Sequence, residues 1–328
     1  MNLTGQWTIS PTALAFPSGK AAAVMSGNKV ILMGGLRGGP STFTLDMLSA
    51  TIHPDGSIDQ FVPCGVLPSA PVTNIDAQYG AWGTRGNVLF LAAGSHLTAC
   101  HTTHLSNDGS PGAWSTSLYA VGEDATGMPG ILAKNGYIYV VGASDIANNN
   151  VSINVRAVKL NGDGSLGAWF LVNPVTIWPT ASGIQGLGYG ALCEVNGYLI
   201  YSGGADNDAT MINAVWSAKL CADGTIGPWK LAGSMAPRIS HAAVTVGDTA
   251  LLIGGARDFA GGTPTGSCEA LRIDAGGNVC SNTTLAAPPL DVRFINREVV
   301  FYNNRIYIFG GRTPSGLTDQ IQVLNVAF

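Results

Sequence analysis

Charge is what this 328-residue chain has least of: Lys, Arg, Asp and Glu make up 11% of it, against about 25% in an average soluble domain. Only four glutamates occur, Glu123, Glu194, Glu269 and Glu298. The formal net charge is -4, so the chain has no basic field to displace the counterions of a nucleic acid, and no such partner is expected. No apolar run reaches the roughly 18 residues of a membrane helix, so no membrane insertion is expected. The opening stretch, "MNLTGQWTISPTALAFP", lacks both the basic and the apolar segment of a secretory signal. Six cysteines are scattered at 64, 100, 193, 221, 268 and 280 without a C-x-x-C pair, and read as free, buried thiols. Cys268 and Cys280, expected on neighbouring strands, are assigned no bond. A G-x-S-x-G elbow, a phosphate loop and zinc-type His/Cys spacing are all missing, so neither a cofactor nor a metal is expected.

What the chain does have is 46% hydrophobic residues and 44 glycines, a composition that fits short strands joined by tight turns. It also repeats itself. "DGSPGAW" (108–114), "DGSLGAW" (163–169) and "DGTIGPW" (223–229) are near copies, and "GQW" (5–7) is half of one. Trp7, Phe61, Trp114, Trp169, Trp229 and Leu285 recur at steps of 54, 53, 55, 60 and 56. Apolar strands ending in small residues keep the same period: "VILMGG" (30–35), "LFLAAG" (89–94), "IYVVGA" (138–143), "YLIYSGG" (198–204), "LLIGG" (251–255) and "IYIFGG" (306–311). Each unit reads as strand a, turn, strand b, variable loop, strand c, Asp-Gly turn, strand d. Strand b is apolar at nearly every position, so both its faces should be buried between copies of the unit.

Six such units imply an all-β chain folded as one six-bladed β-propeller of four-stranded antiparallel blades. The last unit lacks strand d, and the first segment is a strand d without a unit. The N-terminal strand is therefore expected to complete the C-terminal blade and seal the ring. Approximate boundaries are 5–12 for strand d of blade 6, 20–65, 77–120, 129–175, 188–234 and 239–287 for blades 1 to 5, and 294–328 for strands a to c of blade 6.

The stretch "PRISHAAVTVGDTALLIGG" (237–255), with Arg-x-x-His, an apolar strand and a double glycine, resembles a kelch repeat, and a Trp follows on strand d of most units. Gly35, Gly204, Gly255 and Gly311 stand at the glycine position. The resemblance covers nearly the whole chain and is closest to degenerate kelch-like propellers of bacteria and their phages. Units 2 and 3 lack the double glycine, and units 1 and 5 lack the Trp. It implies the fold and leaves the function open.

Each propeller chemistry needs its own residues. A sialidase needs three arginines around a carboxylate; Arg37, Arg257 and Arg312 follow strand b in neighbouring units. The bland reading is loop arginines paired with loop acids, and no acid or nucleophile accompanies them. His101 and His104 in "CHTTH" are three apart, which sets them on opposite faces of a strand and argues against a shared metal. His241 reads as structural. The b–c loops, 36–44, 95–99, 144–151, 205–211, 256–267 and 312–319, carry Arg37, His96, Asp145, Asn148, Asn149, Asp206, Asn207, Asp208, Arg257, Asp258, Phe259 and Arg312, and d–a connections add Tyr79, Trp82 and Trp178. Such side chains on one face suit a glycan or protein ligand, though each alone reads equally as a solvated loop residue. The expectation is a non-enzymatic binding or structural propeller of a phage virion (tail fibre, baseplate or capsid surface), attached to a host-surface glycan or protein or to other virion proteins, with room for a homo-oligomer. It would be extracellular without a signal peptide, or else cytoplasmic. A sialidase-like glycan-processing enzyme and an intracellular kelch-type scaffold are the alternatives.

Overall fold

The computed structural model describes residues 4–37, 43–68, 81–92, 99–118, 130–145, 150–172, 188–206, 210–258, 263–288, 290, 292 and 298–327. Its strands form six four-stranded antiparallel sheets, and the described residues contain no helix. Lettered a to d, blade 1 holds Ala22–Ser26, Lys29–Met33, Asp46–Thr51 and Val62–Val66. Blade 2 holds Ala81–Arg85, Val88–Ala92, Ala99–His104 and Ser115–Leu118, and blade 3 Gly130–Lys134, Tyr137–Asp145, Asn150–Leu160 and Leu166–Val172. Blade 4 holds Ala191–Val195, Tyr198–Ser202, Ala214–Lys219 and Lys230–Ser234, and blade 5 Ala242–Val246, Thr249–Ile253, Cys268–Ile273 and Val279–Leu285. Blade 6 takes Val299–Tyr302, Arg305–Phe309 and Ile321–Ala327 from the C-terminal end and Thr4–Ile9 from the N-terminal end. Strands a touch one another in the order 1-2-3-4-5-6-1, which places them innermost and closes the ring.

Strand b explains why a ring forms. Its side chains alternate faces, and in every blade both faces are apolar and buried. Val30 and Leu32 pack toward blade 6, with Tyr307 and Phe309; Ile31 and Met33 pack toward blade 2, with Leu89 and Leu91. The same alternation builds a separate apolar cluster at each of the six seams between neighbouring blades.

The seam is sealed as the sequence implies. Thr4–Ile9 pairs antiparallel with Ile321–Ala327, from Thr4 opposite Ala327 to Ile9 opposite Gln322. Trp7 then donates its Nε1 proton to the Ala286 carbonyl of blade 5 at 3.0 Å.

The repeated Asp-Gly phrase has two tasks. In blade 4, Asp223 Oδ1 accepts the Thr225 amide at 2.9 Å and its hydroxyl at 2.7 Å, an Asx turn. Gly224, at φ +88°, lets the chain turn, and a Cβ there would sit 2.4 Å from the Tyr137 ring of blade 3. The equivalent glycines of the other hairpins likewise press on the preceding blade: Gly56 on Arg305, Gly109 on Ser49, Gly164 on His104 and Gly277 on Tyr198.

Three expectations are corrected. The c–d hairpins close on the bridges Ile52–Ile58, Leu105–Pro111, Leu160–Leu166, Leu220–Ile226 and Ile273–Val279. Three residues beyond each bridge stand Phe61, Trp114, Trp169 and Trp229, but in blade 5 Asn282, not Leu285; every hairpin takes the same six-residue step between bridge partners, so the uneven spacing arises in the b–c loops and the connections between blades. The supposed loop 144–151 of blade 3 is partly sheet, since strands b and c run on past a bulge to pair Asp145 with Asn150; without a double glycine, nothing turns the chain out of the blade. Trp82 is not on a connection but on strand a of blade 2, 7% exposed in the seam with blade 1. Cys268 and Cys280 lie on adjacent strands as free thiols, with Cys268 opposite Leu285 rather than Cys280.

Two expected outcomes follow. Removing residues 1–12 leaves Ile321–Ala327 with an open edge, and thermal denaturation should show Tm lowered by about 5–10 °C; an unchanged Tm contradicts the seal. Gly197 has φ +79° with nothing within 4 Å of a Cβ, so Gly197→Ala should cost only the backbone term, about 1 kcal/mol. Gly224→Ala should cost about 1–3 kcal/mol more in urea denaturation, because the blades must separate.

Candidate functional site

The a–b and c–d turns crowd one end of the ring, so the b–c loops and the connections between blades share the other. On that face the arginines are unequal. Arg37 is 7% exposed and donates Nη1 to Asp46 Oδ2 at 3.0 Å and Nη2 to the Asp46 carbonyl at 3.2 Å. Its guanidinium lies 4.9 Å from the centroid of Phe16. It braces its own loop. Arg257 is exposed and donates Nε to Thr265 Oγ1 at 3.1 Å. Arg312 is half-buried and opens a small turn, Arg312–Thr313 against Gly316–Leu317. Ser18 pairs with Arg37 on one side and bridges Thr318 on the other, so the Arg37 and Arg312 loops are joined through one short strand. Arg257 sits in a separate loop, bridged through Ala256 to Ile239 and Pro264.

Of the other expected face residues, Asp145 ends strand b of blade 3. Asp206 accepts the Thr210 amide at 2.8 Å and Asp258 the Thr263 amide at 3.0 Å, both turn contacts. His96, Asn148, Asn149, Asn207, Asp208, Phe259, Tyr79 and Trp178 lie outside the described residues. Among the described residues no cluster of His, Cys, Asp and Glu is placed to hold a metal ion. His101 and His104 do face apart: His104 contacts the Asp163 carbonyl of blade 3 at 2.8 Å, whereas His101 contacts Thr116 of its own blade at 2.9 Å.

The titratable groups buried at this end brace blade 5 and join neighbouring blades. Arg238 pairs with Glu269 and donates to the Ser267 carbonyl at 2.8 Å. Glu269 also accepts Asn282 Nδ2 at 2.9 Å, the side chain that stands at the aromatic position in blade 5. His241 Nε2 lies 3.0 Å from Ser202 Oγ of blade 4. That is the spacing of a nucleophile and its base, but His241 is 0% and Ser202 1% exposed, beyond reach of a substrate. Glu298 Oε1 accepts the Ala21 amide of blade 1 at 2.6 Å. Sequence alone does not give these pairings, because partners sit 31, 39 and 277 positions apart.

One strained feature marks the axial mouth. Lys20, Tyr189 and Ser240 have φ of 58°, 62° and 53° at matching positions two residues before strand a. Side chains in this conformation cost about 1–2 kcal/mol each. The Ser240 amide donates to the Tyr189 carbonyl at 2.8 Å, joining blades 4 and 5 there. The signal was in the repeat register, but only dihedral angles expose it. Further out, a groove of about 510 Å³ lies between strands c and d of blade 1 and the segment that leads into that blade, lined among others by Phe16, Arg37, Asp46, Leu48, Phe61 and Val66.

No family model and no curated protein matches the chain. The solved structure of YjhT does match it in shape, with a TM-score of 0.70 over 97% of this chain and 99% of that one, at 11% identity. At that identity the likeness shows the six-bladed fold alone. With 466 solved chains alike in structure, the architecture is too widely shared to carry an activity.

Burial, and then the charge of Arg238, hold the His241 imidazole well below its usual range. The folded state thus keeps it neutral while the unfolded chain protonates near pH 6.5. Its contribution is complete above that pH and lost as the pH falls below it, by up to about 1.4 kcal/mol per pH unit. A second loss begins below the normal aspartate range, where the turn carboxylates are held down by their hydroxyl and amide donors, Asp108 to about 2. Urea midpoints of His241→Gln should fall less between pH 7 and 5 than those of the parent; parallel curves contradict this assignment.

Proposed function

We propose that the chain is a binding and structural propeller of a phage particle, in a tail fibre, baseplate or capsid surface. There its b–c face attaches to a host-surface glycan or protein, or to other virion proteins. One observation carries the non-catalytic part: the buried groups capable of acid–base work are spent on architecture. Arg238 holds Glu269, His241 meets Ser202, Arg37 holds Asp46, and Glu298 takes the Ala21 amide. The kelch-like reading agrees, because Arg238 and His241 of "PRISH" are the repeat's own structural residues. A chain with 11% charged residues relies little on charge for solubility, which suits a subunit packed within an assembly.

A second reading rests on Arg257, exposed on its loop, and Arg312 beside it in the ring. Two cations on adjacent blades suit the carboxylate of an acidic sugar, and a glycan-processing enzyme of sialidase-like type would use them. Purified chain, labelled and incubated with bacterial cells and a glycan array, should bind cells or a glycan class, and tagged chain should sediment with particles. Failure of both overturns the attachment reading. Turnover of a fluorogenic sialoside, abolished in Arg257→Ala, would replace it with the enzymatic one.

A further inference from the structure

Asn-Gly occurs three times in the chain, at 135–136, 161–162 and 196–197. The pair is suited to self-modification, because glycine leaves its backbone amide uncovered and within reach of the asparagine side chain. Asn135-Gly136 and Asn196-Gly197 are the a–b turns of blades 3 and 4, between the facing pairs Lys134–Tyr137 and Val195–Tyr198. Both asparagines are exposed and left-handed, at φ 53° and 54°. Their surroundings differ.

In blade 4 both reacting groups are held. The Gly197 amide donates to Glu194 Oε1 at 2.7 Å, and Asn196 Nδ2 donates to the Ile273 carbonyl of blade 5 at 2.8 Å. In the c–d turn of blade 3 one is held, since Asn161 Nδ2 donates to Ser165 Oγ at 2.9 Å. In the a–b turn of blade 3 neither is held: among the described residues no hydrogen bond reaches the Asn135 side chain or the Gly136 amide. Ala133 stands there in the place of Glu194. The nearest group to a Cβ at Gly136 is Arg85 Nη1 of blade 2, at 3.5 Å. A carboxylate beside an amide opposes loss of its proton, and a guanidinium favours it. The Asp-Gly turns are closed to the same chemistry, because the amides of Gly56, Gly109, Gly164 and Gly224 each donate to the carbonyl three residues back.

We infer that Asn135 is a modification site, at which the chain deamidates itself through its own backbone. The Gly136 nitrogen loses its proton and attacks Cγ of Asn135. The new C–N bond closes a five-membered imide, and the side-chain nitrogen leaves as ammonia, taking up a proton. Water then opens the imide at either carbonyl, giving aspartate or an isoaspartyl link. Water enters, ammonia leaves, and nothing is oxidised or reduced. The product carries an added negative charge beside Arg85, and its isoaspartyl form puts an extra methylene into the backbone of a tight turn. Blade 3 is therefore the first to age. The site lies at the turn end of the ring, so the inference stands apart from whatever the b–c face binds.

Peptide mapping by mass spectrometry, on full-length chain aged in mildly alkaline buffer, tests it. In the folded chain conversion should run in the order Asn135, Asn161, Asn196. Asn196 should lag Asn135 by about tenfold or more, the worth of a net hydrogen bond to a charged group. In urea strong enough to unfold the chain, all three should convert at similar rates. Glu194→Ala, checked for folding by circular dichroism, should bring Asn196 up to the rate of Asn161, which also keeps a single held group. The inference is overturned if Asn135 stays intact in the folded chain while converting in urea. It is equally overturned if the three rates are alike in the folded chain, or if Glu194→Ala leaves the Asn196 rate unchanged.

Discussion

Everything in this molecule follows from one strand that is apolar on both sides. Strand b of blade 5, Thr249–Ile253, is buried at every position, and full burial of each Leu or Ile contributes about 1.5–3 kcal/mol. A lone blade would expose both faces, and a terminal blade one of them. The only arrangement in which every strand b has neighbours on both faces, and no blade is terminal, is a closed ring. Closure then demands that the two chain ends meet, and the N-terminal Trp7 strand supplies the missing edge of blade 6.

The same demand divides the molecule's chemistry by location. At the turn end, chain and glycine are pressed against the preceding blade, and each aspartate there is occupied by its own turn. Polar groups at the opposite end are drawn into the seams wherever a loop must be anchored. Arg37, placed like a ligand-binding residue, is consumed by Asp46 and Phe16. What is left to meet other molecules is the outer part of the loop face, where Arg257 is exposed, and the rim of strands d.

The fold was legible because its causes are periodic. Alternating burial of strand b, Asp-Gly turns and the orphan Trp7 segment each leave a mark in the residue order, and together they fix six blades and the seam. Period alone misleads in one place: Leu285 keeps the spacing of the tryptophans, but the c–d hairpin of blade 5 is as long as the others, and strand register gives the place to Asn282. Blade 3 departed because Gly142-Ala143 cannot make the left-handed double turn that Gly254-Gly255 makes. The site was far less legible. Arg37, Arg257 and Arg312 share a position in the repeat, but whether such an arginine is buried or exposed depends on loop residues such as Asp46 that follow no repeat. The axial strain at Lys20, Tyr189 and Ser240 has no residue-type signature, since only one of the three is even small.

The strand that closes the ring, Thr4–Ile9, is the one whose placement the account depends on most. Hydrogen exchange resolved to single amides tests that closure most directly. In the closed ring the amides of Thr4–Ile9 that pair with Ile321–Ala327 are protected to the same degree as those of Lys230–Ser234, the matching outer strand of blade 4. Rapid exchange confined to Thr4–Ile9, with the other outer strands protected, would contradict it.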